Sequence, residues 1–484
     1  MRAVVLPEPE LDFGASGAHR DPRFGITTFG PVDRGSMPAP TDIRVGFVGP
    51  ADGIHGARQW LERCRTAIAG KPASKSPELF CDFPGFAHDS PFESQLLFDE
   101  SWERTISGRT LRREIEKPIG LATAACADLY TREVADLAER RIVDVVVVAR
   151  PDDLEDDVPQ RSRLRSDELE ASTEVDGEHV DFHDLLKAQC ISLGVPLQLV
   201  RSTTWDPTRS TAKRRSRRSH SIQDEATRAW NFHTAIYYKA GGNPWRMRRE
   251  PTQLRSLFVG VSFFHARDRA SVHTSVAQVF DERGEGVVVR GGPAARKKTD
   301  RQPHLQRHDA DELLGTALDA YEREHHSFPA RVVVHKTSAF DEEEVSGFEA
   351  AADARYIRHL ELLWVSDDGE STRLFRSGEY PVLRGTLATI AKDRHLLYTR
   401  GAIDFYRLYP GMYIPAPLGL RPAVVESSID ELGSEVLALS KMNWNQSQMD
   451  GRLPITLRAA RGVAGIMKYL DPTAKISARY ASFM

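Results

Sequence analysis

His183 and Lys187 stand four residues apart in DFHDLLKAQCISLG, a spacing that places both on one face of a helix. Gln198 falls in the apolar segment PLQLVR that follows, and Lys239 closes DEATRAWNFHTAIYYKAGG just ahead of Gly241 and Gly242. Two ammonium groups, an imidazole and an amide can together grip a terminal phosphate: the lysines supply charge, and His and Gln supply orienting hydrogen bonds. The competing reading makes Lys187 and Lys239 ordinary solvated helix lysines. Between them runs TAKRRSRRSHS, in which Lys213, Arg214, Arg215, Arg217 and Arg218 form a basic stretch. It is either a solvated loop or a surface for nucleic-acid backbone or an acidic partner, with contacts that are salt-sensitive and blind to sequence.

Other chemistries find little support. The four cysteines, Cys64, Cys81, Cys126 and Cys190, include no short-spaced pair of the kind zinc sites use, and read as buried thiols in a reducing compartment. The sequence contains no HExxH, no nucleophile elbow and no complete phosphate-binding loop. Asp268, Asp281, Asp404 and Asp450 read as surface or turn residues.

The elements that must position these groups follow from hydrophobic patterning. IRVGFVGP at 43–50 is a buried-strand pattern, 55–70 an amphipathic helix stopping at Gly70, and RIVDVVVVAR at 141–150 a second buried strand. Strand, crossover helix and strand predict a parallel, doubly wound sheet. The polar stretch 151–179 reads as a surface loop, 181–194 as a helix ending at Gly194, and 196–201 as a strand. A second unit opens with the strand 254–264 and continues with a hairpin over 271–291 whose turn is ERGEG. A helix at 311–325, a strand at 331–337 and a helix opening on acidic residues after 340 complete it. That order fits an RNase-H-like α/β module. The Gly- and Pro-rich residues 1–40 read as an extended arm or linker.

Totals agree with a folded protein of two or more domains: 484 residues, 40% hydrophobic, 28% charged. The net charge of -4 does not by itself suggest nucleic acid, so local clusters carry that argument. No stretch approaches about 18 uninterrupted apolar residues, so no membrane-spanning helix is expected, and no signal peptide is apparent. The cytoplasm is the expected location.

Several segments, in order, resemble the short prokaryotic Argonaute proteins, which consist of a MID and a PIWI domain. They are GITTFGP, DFHDLLKAQCISLGVPLQLVR, WNFHTAIYYKAGGNPWRM, LFVGVSFF, RVVVHKTSAFDEEEVSGFEAA, GAIDFYRLYPGMYIPAPLGLRP and ALSKMNWNQSQMDGRLPITLRAA. The resemblance implies an α/β fold with a Rossmann-like MID domain over 41–250, after the 1–40 arm, and an RNase-H-like PIWI domain over 251–484. It implies that His183, Lys187, Gln198 and Lys239 hold the 5′ phosphate of a short guide RNA. It further implies that Mg²⁺ bridges that phosphate and a terminal carboxylate on Met484, a hard-cation arrangement of oxygen ligands.

In slicing relatives, carboxylates on two strands and a C-terminal helix hold two metal ions. The corresponding positions here read Ser262, Thr337 and Ala460. The resemblance therefore implies a catalytically inactive PIWI domain that recognises a complementary DNA target without cutting it. Arg373, Arg376, Arg384, Lys441, Asn443 and Arg452 would then hold the guide–target backbone, as part of a basic region that also includes Lys392 and Arg394. Trp245 and Trp444 are either stacking groups or core. The implied partner is an APAZ-containing effector protein, of TIR, sirtuin-type or nuclease kind, in a heterodimer that defends against plasmids and phages. Two alternatives stand beside this: an active guide-dependent endonuclease with displaced metal ligands, and a purely structural subunit.

Overall fold

The computed structural model describes residues 2–71, 77–151, 154, 180–209, 222–250, 252–265, 272–275, 278–280, 286–296, 302–367, 372–411, 413–471 and 478–484. The basic residues Lys213, Arg214, Arg215, Arg217 and Arg218, and nearly all of the polar 151–179 stretch, lie outside the described residues.

The arm carries strands Arg2–Val5 (β1), Leu11–Asp12 (β2) and Ala18–His19 (β3), and helix Pro22–Phe29 (α1). The first α/β unit follows with Asp42–Gly49 (β4), Ala51–Arg63 (α2), Gln95–Leu97 (β5), Glu103–Thr105 (β6), Gly108–Ile115 (α3), Ile119–Arg140 (α4) and Val145–Ala149 (β7). It continues with Phe182–Cys190 (α5), Leu197–Val200 (β8), Ser202–Trp205 (α6), Glu225–Lys239 (α7) and Arg246–Met247 (β9). Strands β5, β4, β7 and β8 lie side by side and parallel, and β6 also pairs with β4. The valine run explains why this sheet is covered twice. Successive side chains point to opposite faces. Val145 and Val147 pack with Trp60 of α2 and Trp230 of α7, while Val146 and Val148 pack with Tyr130 and Val134 of α4 and Leu186 of α5.

The second unit contains Ser256–His265 (β10), Val272–Ser275 (β11), Gln278–Phe280 (β12), Gly286–Val288 (β13), Pro293–Arg296 (β14), Pro303–His304 (β15), Arg307–His325 (α8), Arg331–Lys336 (β16), Glu342–Asp353 (α9) and His359–Ser366 (β17). Then come Thr386–Ala391 (β18), Arg394–Leu397 (β19), Leu418–Val424 (β20), Ile429–Leu439 (α10), Ile455–Met467 (α11), Ala478–Arg479 (β21) and Tyr480–Phe483 (α12). Strands β10, β16 and β17 are parallel neighbours, and β20 joins β17 antiparallel. Helices α8 and α9 bury Leu314, Leu318 and Phe348 against Val259, Val261, Val332 and Val334. On the other face α11 lies so close to β10 that a Cβ on Gly260 would come within 2.3 Å of the Thr456 carbonyl oxygen. A larger residue at 260 would push the helix off the strand.

Most predicted elements appear close to their predicted positions, with local differences. The helix expected over 55–70 ends at Arg63, because Ile68 leaves it to form a β-bridge with Phe83. The hairpin expected over 271–291 is narrower: β12 pairs with β13, while β11 turns aside to pair with β10 and β14. The arm differs most from an extended linker. β1 extends the second unit's sheet by pairing with β18, and β2 pairs with β3 and with β9 of the first unit.

Buried ion pairs fasten this strap. Glu8 accepts from Arg384 Nε at 2.8 Å and lies 3.0 Å from Lys441 Nζ. Asp21 caps α1 by accepting from Arg23 N at 2.8 Å, and Tyr406 Oη donates to its carboxylate. Arg23 reaches Leu79 O at 2.8 Å and Tyr406 Oη at 3.0 Å, so one guanidinium touches the arm, the first unit and the second.

Glu8→Ala leaves two buried cations without their carboxylate and is expected to lower stability by about 3 kcal/mol in urea unfolding. Burial alone raises the Glu8 carboxyl, but Arg384 and Lys441 outweigh it and hold it below the usual range. Its contribution is therefore present above the unfolded-state pKa and lost as pH falls through the folded-state pKa. The variant should lose stability less steeply in acid than the parent; equal acid slopes would remove Glu8 from this role.

Candidate functional site

The four residues singled out around the phosphate hypothesis converge at the seam between the two units. Helix α5 starts at Phe182 because the Asp181 side chain caps it, accepting from Asp184 N at 3.1 Å. One turn in, Lys187 points into the seam, only 2% exposed, and donates to Phe483 O at 3.2 Å and to the Met484 main-chain oxygen. Lys239, at the last turn of α7 and 6% exposed, donates to Leu197 O at 2.9 Å and to Gln198 Oε1 at 2.7 Å. Gly241 follows with a positive φ of 97°, which lets the chain turn away directly after the lysine. His183 lies at the rim, its Nδ1 2.9 Å from Asp184 Oδ1.

The electrostatics of this seam are unusual. Burial lowers the Lys187 ammonium to about 8, with Asp184 and Asp181 opposing. Burial pushes Lys239 well below the ordinary lysine range, and the neighbouring Lys187 pushes it further. Its two hydrogen-bond acceptors are neutral. Burial and Lys187 also lower the His183 imidazole, against the pull of Asp184. A buried ammonium that meets neutral acceptors and a like charge is costly unless an anion completes the site. Sequence reasoning did not single out Asp181, Asp184 or the main chain at Phe483. The Asp-x-x-Asp spacing was legible as a helix cap; the main-chain contribution carries no sequence signal.

The residues expected to hold a nucleic-acid backbone divide into two groups. Arg373 and Arg376 are exposed. Arg384, Lys441, Asn443 and Arg452 are buried, which corrects the expectation of a duplex-facing surface. Arg384 donates to Leu437 O at 3.0 Å and Ser440 Oγ at 2.9 Å, besides Glu8. Lys441 donates to Pro9 O and Arg20 O, Arg452 donates to Asp367 O, and Asn443 Oδ1 accepts from Asn445 N. These are fasteners, and the arm that occupies two of them is what a reading of the second half alone could not supply. Trp245 and Trp444 are core: each is fully buried, and Trp444 stacks on Tyr238 with ring centroids 4.3 Å apart.

Ser262 lies on β10, Thr337 follows β16, and Ala460 lies on α11, the helix packed against β10. Thr337 N donates to Val261 O at 3.2 Å, which sets the two strand ends side by side. Nearby, Asp367 follows β17 and is clasped by both Arg461 Nη atoms at 2.6 Å.

Two groups of described residues have metal-ligating chemistry, Asp181 with His183 and Asp184, and His304 with Asp341 and Glu344. In the second, Lys336 Nζ already lies 2.7 Å from Glu344 Oε2, and Leu305 N donates to Glu344 Oε1. That group ties β15, β16 and α9 together around an ammonium. Asp404 is exposed and Asp450 half-buried; Asp268 and Asp281 lie outside the described residues.

No helix among the described residues is long and apolar enough to cross a membrane. No family model and no curated protein matches the sequence. Solved structures do. Clostridium butyricum Argonaute, bound to a guide DNA with a 5′ deoxycytidine and a 19-mer target DNA, is 14% identical, covers 99% of this chain and superposes with a TM-score of 0.64. Aa-Ago with externally bound siRNA is 14% identical over 98% of the chain, with a TM-score of 0.60. A. aeolicus Argonaute is 13% identical over 99%, with a TM-score of 0.57. The chain spans about half the length of these structures, 54% to 55%. The likeness establishes a two-lobed Argonaute-like fold with a Rossmann-like and an RNase-H-like unit, and the Lys187 bond to Phe483 O joins the two at the lysine seam.

Because the native state releases the Lys187 proton near pH 8 and the unfolded state keeps it, stability should rise with pH from about 8 towards the ordinary lysine range. Lys187→Met should flatten that rise in thermal melts; an unchanged slope would mean that Lys187 stays charged throughout.

Proposed function

We propose that this chain binds a short guide RNA by its 5′ phosphate and presents it to a complementary single-stranded DNA target. The observation that carries this is the pair of buried ammonium groups, Lys187 and Lys239, with Lys239 meeting neutral acceptors. A phosphate would supply the missing charge, with Gln198 and His183 orienting it. Domain limits near residues 40 and 250 go with this reading.

The pocket does not suit the expected Mg²⁺ bridge as drawn. Lys187 already donates to the Met484 main-chain oxygen, so a cation placed there would meet an ammonium. The lysines can do the neutralising themselves.

We further propose that the target is held without being cut. Ser262, Thr337 and Ala460 offer no carboxylate where two-metal chemistry would need one. Asp367, at the same sheet edge, is neutralised by Arg461. Of the two described groups with metal-ligating chemistry, the one in the second unit, His304 with Asp341 and Glu344, already holds the Lys336 ammonium, which weighs against the displaced-ligand alternative there. A recogniser that does not cut must hand its signal on, and an APAZ-containing effector bound as a heterodimer in antiplasmid or antiphage defence fits that need. The cytoplasm suits such a role.

The test is binding of a short RNA with and without its 5′ phosphate, followed by addition of complementary DNA and Mg²⁺ or Mn²⁺. The expected result is a phosphate preference that falls roughly thirtyfold or more in Lys239→Met, since truncating one partner of a buried charge pair costs about 2–5 kcal/mol, with the target strand left intact. Phosphate indifference would leave a structural subunit, and metal-dependent cutting lost on changing Asp341 or Glu344 would make the chain a nuclease. Phosphate preference should be greatest between about pH 6, where the monoester becomes a dianion, and pH about 8, above which the free pocket has lost the Lys187 proton that binding requires.

A further inference from the structure

Ten large apolar side chains are exposed among the described residues, and four of them, Phe375, Tyr380, Tyr413 and Ile414, fall in two loops of the second unit. The two loops are tied to one another. Leu374 N donates to Tyr398 Oη at 2.8 Å, and Val382 and Arg384 exchange backbone hydrogen bonds of 2.9 Å with Ala402. Each loop also carries an internal brace. Arg376 Nε donates to Pro381 O at 2.9 Å, closing the turn between Phe375 and Tyr380. Tyr409 Oη donates to Tyr413 O, and its ring lies on Gly411, where a Cβ would come within 2.3 Å. Exposed arginines are interleaved with these rings: Arg373 and Arg376 in the first loop, Arg407 in the second. Arg407 has a left-handed φ of 52°, a conformation a non-glycine residue adopts at some cost.

Exposed aromatic rings close in sequence to exposed arginines suit one class of ligand. Every nucleobase has a face that stacks on an aromatic ring, and the phosphates between bases suit arginine; a duplex hides those faces. We infer that these paired loops form a stacking platform for single-stranded nucleic acid, separate from the lysine seam. The inference rests on the reading of the chain as a guide and target binder, and it specifies single-stranded target, or the strand beyond the paired region, as what this surface takes.

The probe is a fluorescent oligo-dT lacking a 5′ phosphate, with a blunt duplex of equal length as control, titrated against the full chain. Phe375→Ala with Tyr413→Ala alters side chains 72% and 59% exposed, so the fold should be unaffected, which a melt would verify. The expected result is oligo-dT binding weakened roughly tenfold or more with duplex binding unchanged. Phe375→Leu with Tyr413→Leu should be equally weak, because area without a π face does not stack, and Arg407→Gln should reduce the salt dependence. Unchanged oligo-dT binding in the double variant overturns the platform, and a changed oligomeric state at unchanged oligo-dT binding would assign the loops to a protein contact. Phosphorylated RNA measured on the same samples separates the two proposals: unchanged oligo-dT binding with a persisting 5′-phosphate preference overturns the platform alone, and the guide-binding proposal fails if the unaltered chain shows no such preference.

Discussion

A lysine ammonium buried against main-chain oxygens is tolerated only when a great deal of structure holds it there. Here two of them face the same seam, and each is delivered by a different part of the chain. Lys187 comes from a helix whose start is fixed by an aspartate cap, and Lys239 from the final turn of a helix most of whose other residues are buried. The acceptors arrive from further away: Leu197 and Gln198 on a parallel strand, and the Phe483 and Met484 main chain, 296 and 297 positions from Lys187. The valine-rich sheet, the packing of α11 across β10 and the terminal helix all serve to keep these charges apart from water and close to one another.

The second unit shows the complementary situation. Its parallel strands end side by side, and a helix crosses them at the closest approach a glycine permits, yet the polar groups at that edge are a hydroxyl, a hydroxyl and an arginine-bound carboxylate. Burial keeps His335 neutral, lowering it to about 3, and its Nδ1 lies 2.9 Å from Thr456 Oγ1, which fastens strand to helix without adding charge. At this strand end the described polar groups are committed to internal bonds: Asp367 to Arg461, and His335 to Thr456.

Much of the first unit was legible in the sequence because its signals are local. A valine run, a glycine after a helix, and a His–Lys spacing of four each report on a few neighbouring residues. The residues of the lysine seam were singled out this way, since His183 with Lys187 and Lys239 with its glycine pair are both local patterns. What was not legible was pairing over long distances. Arg384 and Lys441 look like surface cations in a window of ten residues, and only the position of Glu8 shows that they are internal. The arm looked like linker for the same reason: Gly and Pro mark its turns, but nothing local marks the partners of Arg2–Val5 or Asp21. Main-chain acceptors such as Phe483 leave no trace in residue type at all.

Glu8 and Arg384 are separated by 376 positions, and the arm's first strand waits for a partner just beyond. Synthesis is vectorial and proceeds at about 5–20 residues per second, so the carboxylate exists for roughly 20–75 s before its guanidinium leaves the ribosome. During that interval the three-stranded tie to Arg246–Met247 can form, but the closing strand cannot. The arm is thus committed to the first unit before it can reach the second, and the nascent first unit carries from the outset the hook that will later draw the second unit onto it.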